Sequence, residues 1–266
     1  MVPDYHIHTF LCKHADGDPS DYIRSAEAEG ISEICFTDHA PSHGGYDPAH
    51  RMSIDQFSDY REMVKAQKTD SVEVLFGIEA DYYEGCEEFL TPWLKEQNFD
   101  LVIGSVHYIR DWGFDNPETI RVWDSVDVTK SWNEYLELLS RLARTGLYDV
   151  IGHLDLTKKF GYIPEPEKLK EIMEPVLDSI SESEMVIELN TSGLRKPIKE
   201  IYPSLAILQM AKNKNIPICF GSDAHTAADV GSAFDQAIEL ARSAGYTTST
   251  RFRKREKEQI PLPEVS

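Results

Sequence analysis

The chain has 266 residues, 41% hydrophobic and 27% charged, which predicts one soluble domain over residues 1–266 that is long enough to bury a sizeable core. Its formal net charge of −19 argues against nucleic acid as the main partner, since phosphate neutralisation needs surplus Lys and Arg, but permits a small phosphorylated substrate. Four cysteines without paired spacing, no basic leader and no apolar run of membrane-spanning length predict a cytoplasmic protein without disulfides or membrane contact.

Seven short apolar runs predict β-strands, and amphipathic segments between them predict helices. Most runs are continuous stretches of Val, Ile, Leu and Phe, as expected for parallel strands covered on both faces. The predicted strands are 4–8, 33–37, 72–79, 100–106, 149–153, 185–190 and 216–222. The clearest helices are predicted at 19–30, 132–144, 166–181, 205–214 and 230–244. Seven βα units in this order favour a closed or nearly closed α/β barrel over an open sheet.

Three segments outside these elements have patterns of their own. Two long connections, 40–53 and 108–131, leave strands that end in polar residues, so they are candidates to cover a pocket there. The segment 251–258 alternates Lys or Arg with Glu, and we interpret it as a solvent-exposed face.

Histidine and acidic residues recur at the ends of the predicted strands. In a parallel barrel the carboxyl ends of all strands meet at one face, so these side chains are brought to one place. Imidazole and carboxylate groups are metal ligands, and we therefore predict a metal centre at this face. The predicted ligands are His6, His8, His14, His39, Glu79, His107, His153, Asp223 and His225.

The number of predicted ligands indicates how many ions they hold. Residues two apart on a strand point the same way, so His6 and His8 can bind one ion together. The carboxylate of Glu79 has two oxygens and can bridge two cations. Nine side chains with a bridging Glu79 give ten bonds, whereas an open catalytic site takes three or four protein ligands per ion. Ten bonds fit three ions.

Other polar residues near the strand ends have more than one interpretation. Asp38 and Asp155 stand beside predicted ligands and either orient an imidazole by accepting its second N–H or cap a helix. His43 and His50 fit loop or surface positions better than the metal set. Cys12 is close to His14 in sequence, but packing explains it better than metal binding.

At these residues the chain resembles the PHP (polymerase and histidinol phosphatase) family over nearly its whole length. The motifs are His6-Ile7-His8, Thr37-Asp38-His39, Gly77-Ile78-Glu79, Gly104-Ser105-Val106-His107, Gly152-His153 and Ser222-Asp223-Ala224-His225. The resemblance implies a distorted (β/α)7 barrel with a trinuclear metal centre at the carboxyl ends of its strands. The implied ligand sets are His6, His8, Glu79 and Asp223 for one ion, Glu79, His107 and His153 for a second, and His14, His39 and His225 for a third.

Within this family the chain is most similar to the stand-alone histidinol-phosphatases. The narrower match lies in Asp38-His39-Ala40-Pro41, in residues 152–160 with Lys158-Lys159-Phe160, and in residues 188–195. It implies hydrolysis of L-histidinol phosphate to L-histidinol and phosphate, a step of histidine biosynthesis. The alternatives are a PHP phosphoesterase acting on another small phosphomonoester or nucleotide, a catalytically idle metal-binding scaffold, and a metal-dependent amide hydrolase on a similar barrel.

The implied reaction gives candidate roles to several charged residues. A hydroxide bridging two ions would attack phosphorus in line, with Glu79 and Asp223 as the catalytic metal ligands. Arg195, just beyond the sixth strand, is predicted to clamp a phosphate oxygen. Lys158 or Lys159 either assists it or is a solvated charge at a helix start.

The remaining expectations concern the rest of the substrate and the metal. The ammonium and imidazole groups of the substrate need hydrogen-bond acceptors, and Asp16, Asp18 and His43 lie on loops that could supply them. Nitrogen-rich ligation favours zinc, iron or manganese over magnesium or calcium as the three divalent ions. The sequence contains no indication of an oligomeric state.

Overall fold

The computed structural model of the protein describes residues 2–264. Its strands are β1 Asp4–Ile7, β2 Glu33–Phe36, β3 Glu73–Asp81, β4 Leu101–Ser105, β5 Tyr108–Ile109, β6 Trp112–Gly113, β7 Val150–Ile151, β8 Val186–Asn190, β9 Ile218–Gly221, β10 Thr248–Arg253 and β11 Glu256–Pro261. Its α-helices are α1 Pro19–Ala28, α2 Phe57–Ala66, α3 Glu87–Glu96, α4 Val128–Arg144, α5 Pro166–Glu182, α6 Leu205–Asn213 and α7 Phe234–Ser243.

Seven parallel strands form the central sheet in the order β1-β2-β3-β4-β7-β8-β9. The outer strands of this order, β1 and β9, meet through a parallel bridge between Ile7 and Ala224. The amide of His8 donates to the carbonyl of Ala224 at 2.9 Å, and the amide of Ala224 donates to the carbonyl of His6 at 3.1 Å. The sheet is therefore a nearly closed seven-stranded barrel, which confirms the predicted α/β architecture.

All seven predicted strands and all five predicted helices are present, with shifted ends. The shortest of the seven is β7, which contains two residues because the chain turns out of the sheet at His153, where φ is 20°. Helix α4 begins four residues earlier than predicted. Asp127 caps it there, since its side chain accepts the amide of Lys130 at 3.0 Å. Among residues 2–264, no helix is both long and apolar enough to cross a membrane.

The apolar core has two parts. The larger part lies between the strands and the surrounding helices. The smaller part consists of alternate strand residues that point into the barrel near the amino ends of the strands, together with one aromatic residue from β10. Its members are Tyr5, Cys35, Leu75, Leu101, Ile103, Val150, Val186, Cys219 and Phe252. The four cysteines are buried free thiols.

The hairpin β10–β11 closes the amino-terminal end of the barrel. Phe252 is fully buried, and its ring meets the ring of Tyr5 edge-on with 5.3 Å between centroids. Arg251 and Arg253 on the same strand both contact Glu33, the first residue of β2, at 2.7 Å. The prediction of a solvent-exposed face for 251–258 is therefore wrong for β10, because its arginines pair with acidic residues at the strand starts.

The long connection 108–131 carries the short hairpin β5–β6 and a 3-10 helix, Pro117–Ser125. Aromatic packing fixes its shape. Trp123 is fully buried, donates its indole N–H to the carbonyl of Phe114 at 2.9 Å, and stacks on Tyr162. This packing brings the segment around Asp115 onto the carboxyl end of the barrel.

Candidate metal centre

Inside the barrel, apolar residues near the strand starts give way to polar residues near the strand ends. Alternate residues of a strand share a face, so the inward positions of β3 include Leu75, Glu79 and Asp81. On β9 the inward positions are Cys219 and Gly221, and the next residue in this alternation, just beyond the strand, is Asp223. The polar half of the barrel interior is therefore built into the strand sequences.

The structure brings all nine predicted ligands together at this end. They surround a cavity of about 320 Å³, and seven of them line it. The cavity is lined by His14, His39, Asp47, His50, Arg51, Glu79, His107, Tyr108, Gly113, Asp115, Asn116, Pro117, His153, Leu156, Lys159, Ser192, Lys196, Asp223 and His225. His6 and His8 lie deeper and are almost completely buried.

Glu79 occupies the centre of the cluster. Its Oε1 lies 3.2 Å from Nε2 of His153 and 3.8 Å from Nε2 of His107. Its Oε2 lies 3.6 Å from Nε2 of His6 and 3.7 Å from Nε2 of His8. The two carboxylate oxygens thus face two different pairs of imidazole nitrogens, as a bridging ligand requires.

Hydrogen bonds to Nδ1 orient several of the rings. Nδ1 of His6 lies 2.6 Å from Oε1 of Glu188, a carboxylate on β8 whose Oε2 also accepts the amide of His153 at 2.9 Å. Nδ1 of His14 lies 2.8 Å from the carbonyl of Cys12, and Nδ1 of His225 lies 3.0 Å from the carbonyl of Asp223. An N–H at Nδ1 leaves the lone pair of Nε2 directed into the cluster.

A second acidic residue, Asp81, orients His107. Its carboxylate oxygens lie 2.9 and 3.0 Å from Nδ1 of His107. Arg51 contacts Asp81 at 2.7 Å, and the hydroxyl of Tyr46 donates to it at 2.6 Å. Sequence analysis missed both Asp81 and Glu188. Two signals were available: Asp81 is two residues after Glu79 on one strand, and Glu188 is an acidic residue inside an apolar run.

The surroundings shift the pKa values of the imidazoles in opposite directions. Burial lowers the pKa of His107, but Asp81 outweighs it and raises the value to about 9. Burial likewise opposes charge on His6, and Glu188 with Asp223 raises its pKa well above the usual value. For His39 burial prevails, and its pKa is well below the usual value. The rings backed by carboxylates are therefore the more basic electron-pair donors.

The donor atoms fit metal ions better than they fit each other. Oε2 of Glu79 and Nδ1 of His39 are 2.7 Å apart, yet within residues 2–264 neither makes a well-aligned hydrogen bond, and Nε2 of His6 is also buried there without a partner. The Nε2 atoms of His14 and His225 face each other at 3.0 Å. Two ligands at 2.0–2.1 Å from one tetrahedral zinc are about 3.3 Å apart, and the His14–His225 separation is close to that value.

The closest sets of donor atoms overlap. In each set, three donor atoms lie within 4.8 Å of one another. The sets are His6, His8 and Glu79; Glu79, His107 and His153; His8, His39 and His225; Cys12, His14 and His225; and His8, Cys12 and Asp38. The first set contains three of the four residues expected for one ion, without Asp223, and the second contains the three residues expected for another. The expected trio of His14, His39 and His225 is divided between two sets, and Cys12, expected to be only packed, contributes its sulfur to one of them.

Backbone strain and a close approach accompany the cluster. His153 has φ of 20° and Asp223 has φ of 53°, both positive values that residues other than glycine seldom adopt. At Gly221 an added Cβ would overlap the carboxylate of Glu188 and lie 2.6 Å from Cβ of His6. Only glycine therefore allows β9 to pass so close to this oriented imidazole.

The two adjacent lysines have different environments. Lys158 is buried, with Nζ at 3.0 Å from both Asp155 and Glu200, and it does not line the cavity. The expected role of Lys158 in substrate binding is therefore wrong, and Asp155 holds this lysine instead of an imidazole. Lys159 does line the cavity, and its Nζ donates to Asp115 at 3.0 Å.

Arg195 lies behind the cavity wall. Its Nη2 donates to the carbonyls of Ser222 at 2.7 Å and Asp223 at 3.2 Å, and its Nε contacts Asp229 at 3.2 Å. These bonds direct the guanidinium at the backbone that carries the Asp223 ligand. Arg195 is absent from the cavity lining, so the expected phosphate clamp is not supported, and its bonds place it to position Asp223.

The two histidines left outside the metal set also differ. His43 stacks on Phe89 with 4.1 Å between ring centroids and lies outside the metal cavity, so its expected substrate contact is not supported. His50, by contrast, lines the cavity. Its Nδ1 lies 2.8 Å from Asp47, and its ring is 5.4 Å from that of His14.

The remaining acidic candidates have structural contacts. Oδ1 of Asp38 lies 3.5 Å from Nδ1 of His8, which is long for a hydrogen bond, and Oδ2 accepts the amide of Thr9 at 3.2 Å, so the orienting role stays a prediction. Asp18 caps α1 by accepting the amide of Ser20 at 2.9 Å. Neither Asp16 nor Asp18 lines the cavity, so the loop after β1 does not supply the expected acceptors.

Comparisons with known proteins place this site in a family. A family model described as "PHP domain" matches residues 4–192, and one described as "PHP-associated" matches residues 206–245. The chain belongs to the PHP family. A probable histidinol-phosphatase from Deinococcus radiodurans is 39% identical, covering 95% of this chain and 96% of the relative. The histidinol-phosphatase of Bacillus subtilis is 30% identical, covering 89% and 98%.

A solved structure has the same fold as this PHP protein. The histidinol phosphate phosphatase of Lactococcus lactis, in complex with zinc, L-histidinol and phosphate, superposes with a TM-score of 0.83. Its sequence is 23% identical, and the match covers 97% of this chain and 98% of that one.

Proposed function

We propose that the protein is a histidinol-phosphatase, a metal-dependent hydrolase that converts L-histidinol phosphate and water to L-histidinol and phosphate in histidine biosynthesis. One observation carries the proposal. Nine candidate metal ligands converge on a cavity of about 320 Å³, in a chain that is 39% identical to a probable histidinol-phosphatase over 95% of its length. A cavity of this size suits a small monoester.

Three divalent ions fit the donor set. The assignment we propose is His6, His8, Glu79 and Asp223 for one ion, Glu79, His107 and His153 for a second, and His14, His39 and His225 for a third, with Cys12 beside the third. Imidazole nitrogen dominates these sets, which favours zinc, iron or manganese. When bound, such ions neutralise phosphate oxygens and lower the pKa of water enough for it to attack phosphorus at neutral pH.

The protein's own residues position this chemistry. Glu79 places one carboxylate oxygen in each of two donor sets, which fixes their separation. Oδ1 of Asp223 lies 3.3 Å from Nε2 of His8, while its Oδ2 accepts the hydroxyl of Ser192 at 3.0 Å. Arg195 holds the backbone of Asp223 from behind. Phosphoryl transfer depends mainly on such positioning and on charge stabilisation.

Lysines on the cavity wall supply positive charge for the phosphate. Lys159 and Lys196 both line the cavity. Arg51 also reaches it, but its guanidinium is engaged by Asp81 at 2.7 Å and is almost fully buried. We therefore assign initial phosphate binding to the two lysines.

The test is phosphate release from L-histidinol phosphate and from a panel of small monoesters and nucleotides, measured beside metal content. We expect the highest kcat/KM with L-histidinol phosphate. Glu79→Gln should remove most activity and bound metal, whereas Glu84→Gln, an exposed control beyond the same strand, should change neither. A better monoester in the panel would overturn the substrate assignment. Full metal content with no hydrolysis of any ester would instead indicate the scaffold alternative.

A further inference from the structure

An ion pair joins two loops on the wall of the metal cavity. Asp115 belongs to the connection between β4 and α4, and Lys159 belongs to the connection between β7 and α5. Nζ of Lys159 donates to Oδ2 of Asp115 at 3.0 Å, and both residues line the cavity. Their side chains retain 12% exposure for Lys159 and 22% for Asp115, so a ligand in the cavity can reach both charges.

Two other charged residues of the wall, Arg51 and Asp47, belong to a larger set of ion pairs. Arg51 is held by Asp81 at 2.7 Å and contacts Asp47 at 3.5 Å. Asp47 is also 2.8 Å from His50. Asp115 and Lys159, in contrast, have each other as their only charged side-chain partners within 4 Å in the described part of the chain. Asp115 and Lys159 can therefore each bind a charged group of a ligand in place of the other, and no third charged residue loses its partner.

Asp115 is negatively charged at neutral pH. Burial raises the pKa of its carboxyl group, but Lys159 and His107 outweigh that effect and hold the pKa below its usual value. A carboxylate close to a phosphate site would only repel a simple phosphate ester. Its presence on this wall calls for a ligand that brings a cation together with its phosphate.

We propose that Lys159 binds the phosphate of the substrate while Asp115 binds an ammonium group on the carbon next to the ester carbon. The inference rests on the proposed function and names its specificity determinant: the cavity selects 2-aminoalkyl phosphates. In such esters four bonds separate the nitrogen from the phosphorus, so opposite charges lie side by side, as they do in the Asp115–Lys159 pair. In the complex, the phosphate lies beside Lys159 and the ammonium group lies beside Asp115. Each of these four charges is then next to charges of the opposite sign.

An ester without the amine lacks this arrangement. Its phosphate binds Lys159, so Asp115 loses its ion-pair partner and contacts only an uncharged methylene group of the ester. An unpaired carboxylate in a largely enclosed site is strongly unfavourable, and this penalty supplies the discrimination. A bond between charged groups of this kind corresponds to roughly ten- to a hundredfold in binding.

The experiment compares kcat/KM for L-histidinol phosphate and for its des-amino analogue, 3-(imidazol-4-yl)propyl phosphate. A second pair, phosphoethanolamine and ethyl phosphate, isolates the amine from the imidazole. The wild-type enzyme should prefer the amine in both pairs by roughly ten- to a hundredfold, mainly through KM. Asp115→Asn, which keeps the side-chain size, should lose most of this preference with metal content unchanged. Asp124→Asn, an exposed residue of the same connection bonded to Tyr162, is the matched control.

The outcomes separate this inference from the proposed function. If Asp115→Asn keeps the wild-type preference for the amine, Asp115 does not read the ammonium group, whatever the substrate is. If the wild-type enzyme hydrolyses neither imidazole ester but still prefers phosphoethanolamine over ethyl phosphate, and Asp115→Asn removes that preference, the inference stands and the histidinol-phosphatase proposal fails. No preference for the amine in the wild-type enzyme overturns the inference directly.

Discussion

Replacing Glu188 by Gln perturbs a carboxylate that lies behind the ligands. Its oxygens lie 2.6 Å from Nδ1 of His6, 2.9 Å from the amide of His153 and 3.0 Å from Nδ2 of Asn190. Gln has the same shape but presents an NH2 group to at least one of these donors. A hydrogen bond to a charged group contributes about 1.5–3 kcal/mol, and losing the partner of a metal-bound His typically lowers metal affinity about 10–100-fold. We expect Glu188→Gln to weaken zinc binding by that factor.

The assay is a zinc titration in competition with a chelator of known affinity. Glu182→Gln, an exposed change near the end of α5, is the matched control and should bind like the wild-type protein. Circular dichroism of the metal-free proteins checks that both variants are folded. A zinc affinity of Glu188→Gln within twofold of wild type would refute the claim that this carboxylate orients His6 and the His153 backbone.

Two other predictions concern stability. Gly221→Ala places a Cβ against Glu188 and His6, and such overpacking should lower the free energy of unfolding by about 1–3 kcal/mol; an unchanged urea midpoint would contradict the close approach. Burial raises the pKa of Glu33, but hydrogen bonds led by the one from Arg253 outweigh this effect, and the pKa lies below its usual value. The ionised Glu33 therefore stabilises the fold above a pH of about 4.3, the usual pKa of Glu. This stabilisation is lost as the pH falls through the lowered pKa of the folded state. Glu33→Gln should therefore destabilise the protein in urea at pH 7 and much less at pH 2; equal losses at both would exclude this linkage.

Much of the fold could be predicted because its signals are local. Continuous apolar runs mark strands that are covered on both faces, and capping residues with glycines mark the helix ends. The convergence of the candidate ligands was predictable for a related reason, since a parallel barrel gathers its strand ends at one face wherever they lie along the chain. The convergence of His6 with Asp223 follows from topology alone.

The rest depends on contacts that no local pattern specifies. Glu188 reaches His6 across 182 positions of sequence, and which ring it orients depends on the pairing of the strands. Lys158 and Lys159 are neighbours, yet one is buried behind the wall and the other lines it. In β10, the alternation of charged residues is compatible with a solvent-exposed surface. It is equally compatible with what the structure has, arginines that pair with acidic residues at the first positions of other strands.

The most direct test of the metal centre is the number of metal ions bound per chain in the purified protein. Elemental analysis should give three divalent ions per wild-type chain after reconstitution. Anomalous diffraction from crystals should place them around Glu79, between the imidazoles of His6, His107 and His225. A single ion per chain in a protein with full phosphatase activity, or ions at separate places on the surface, would contradict the account.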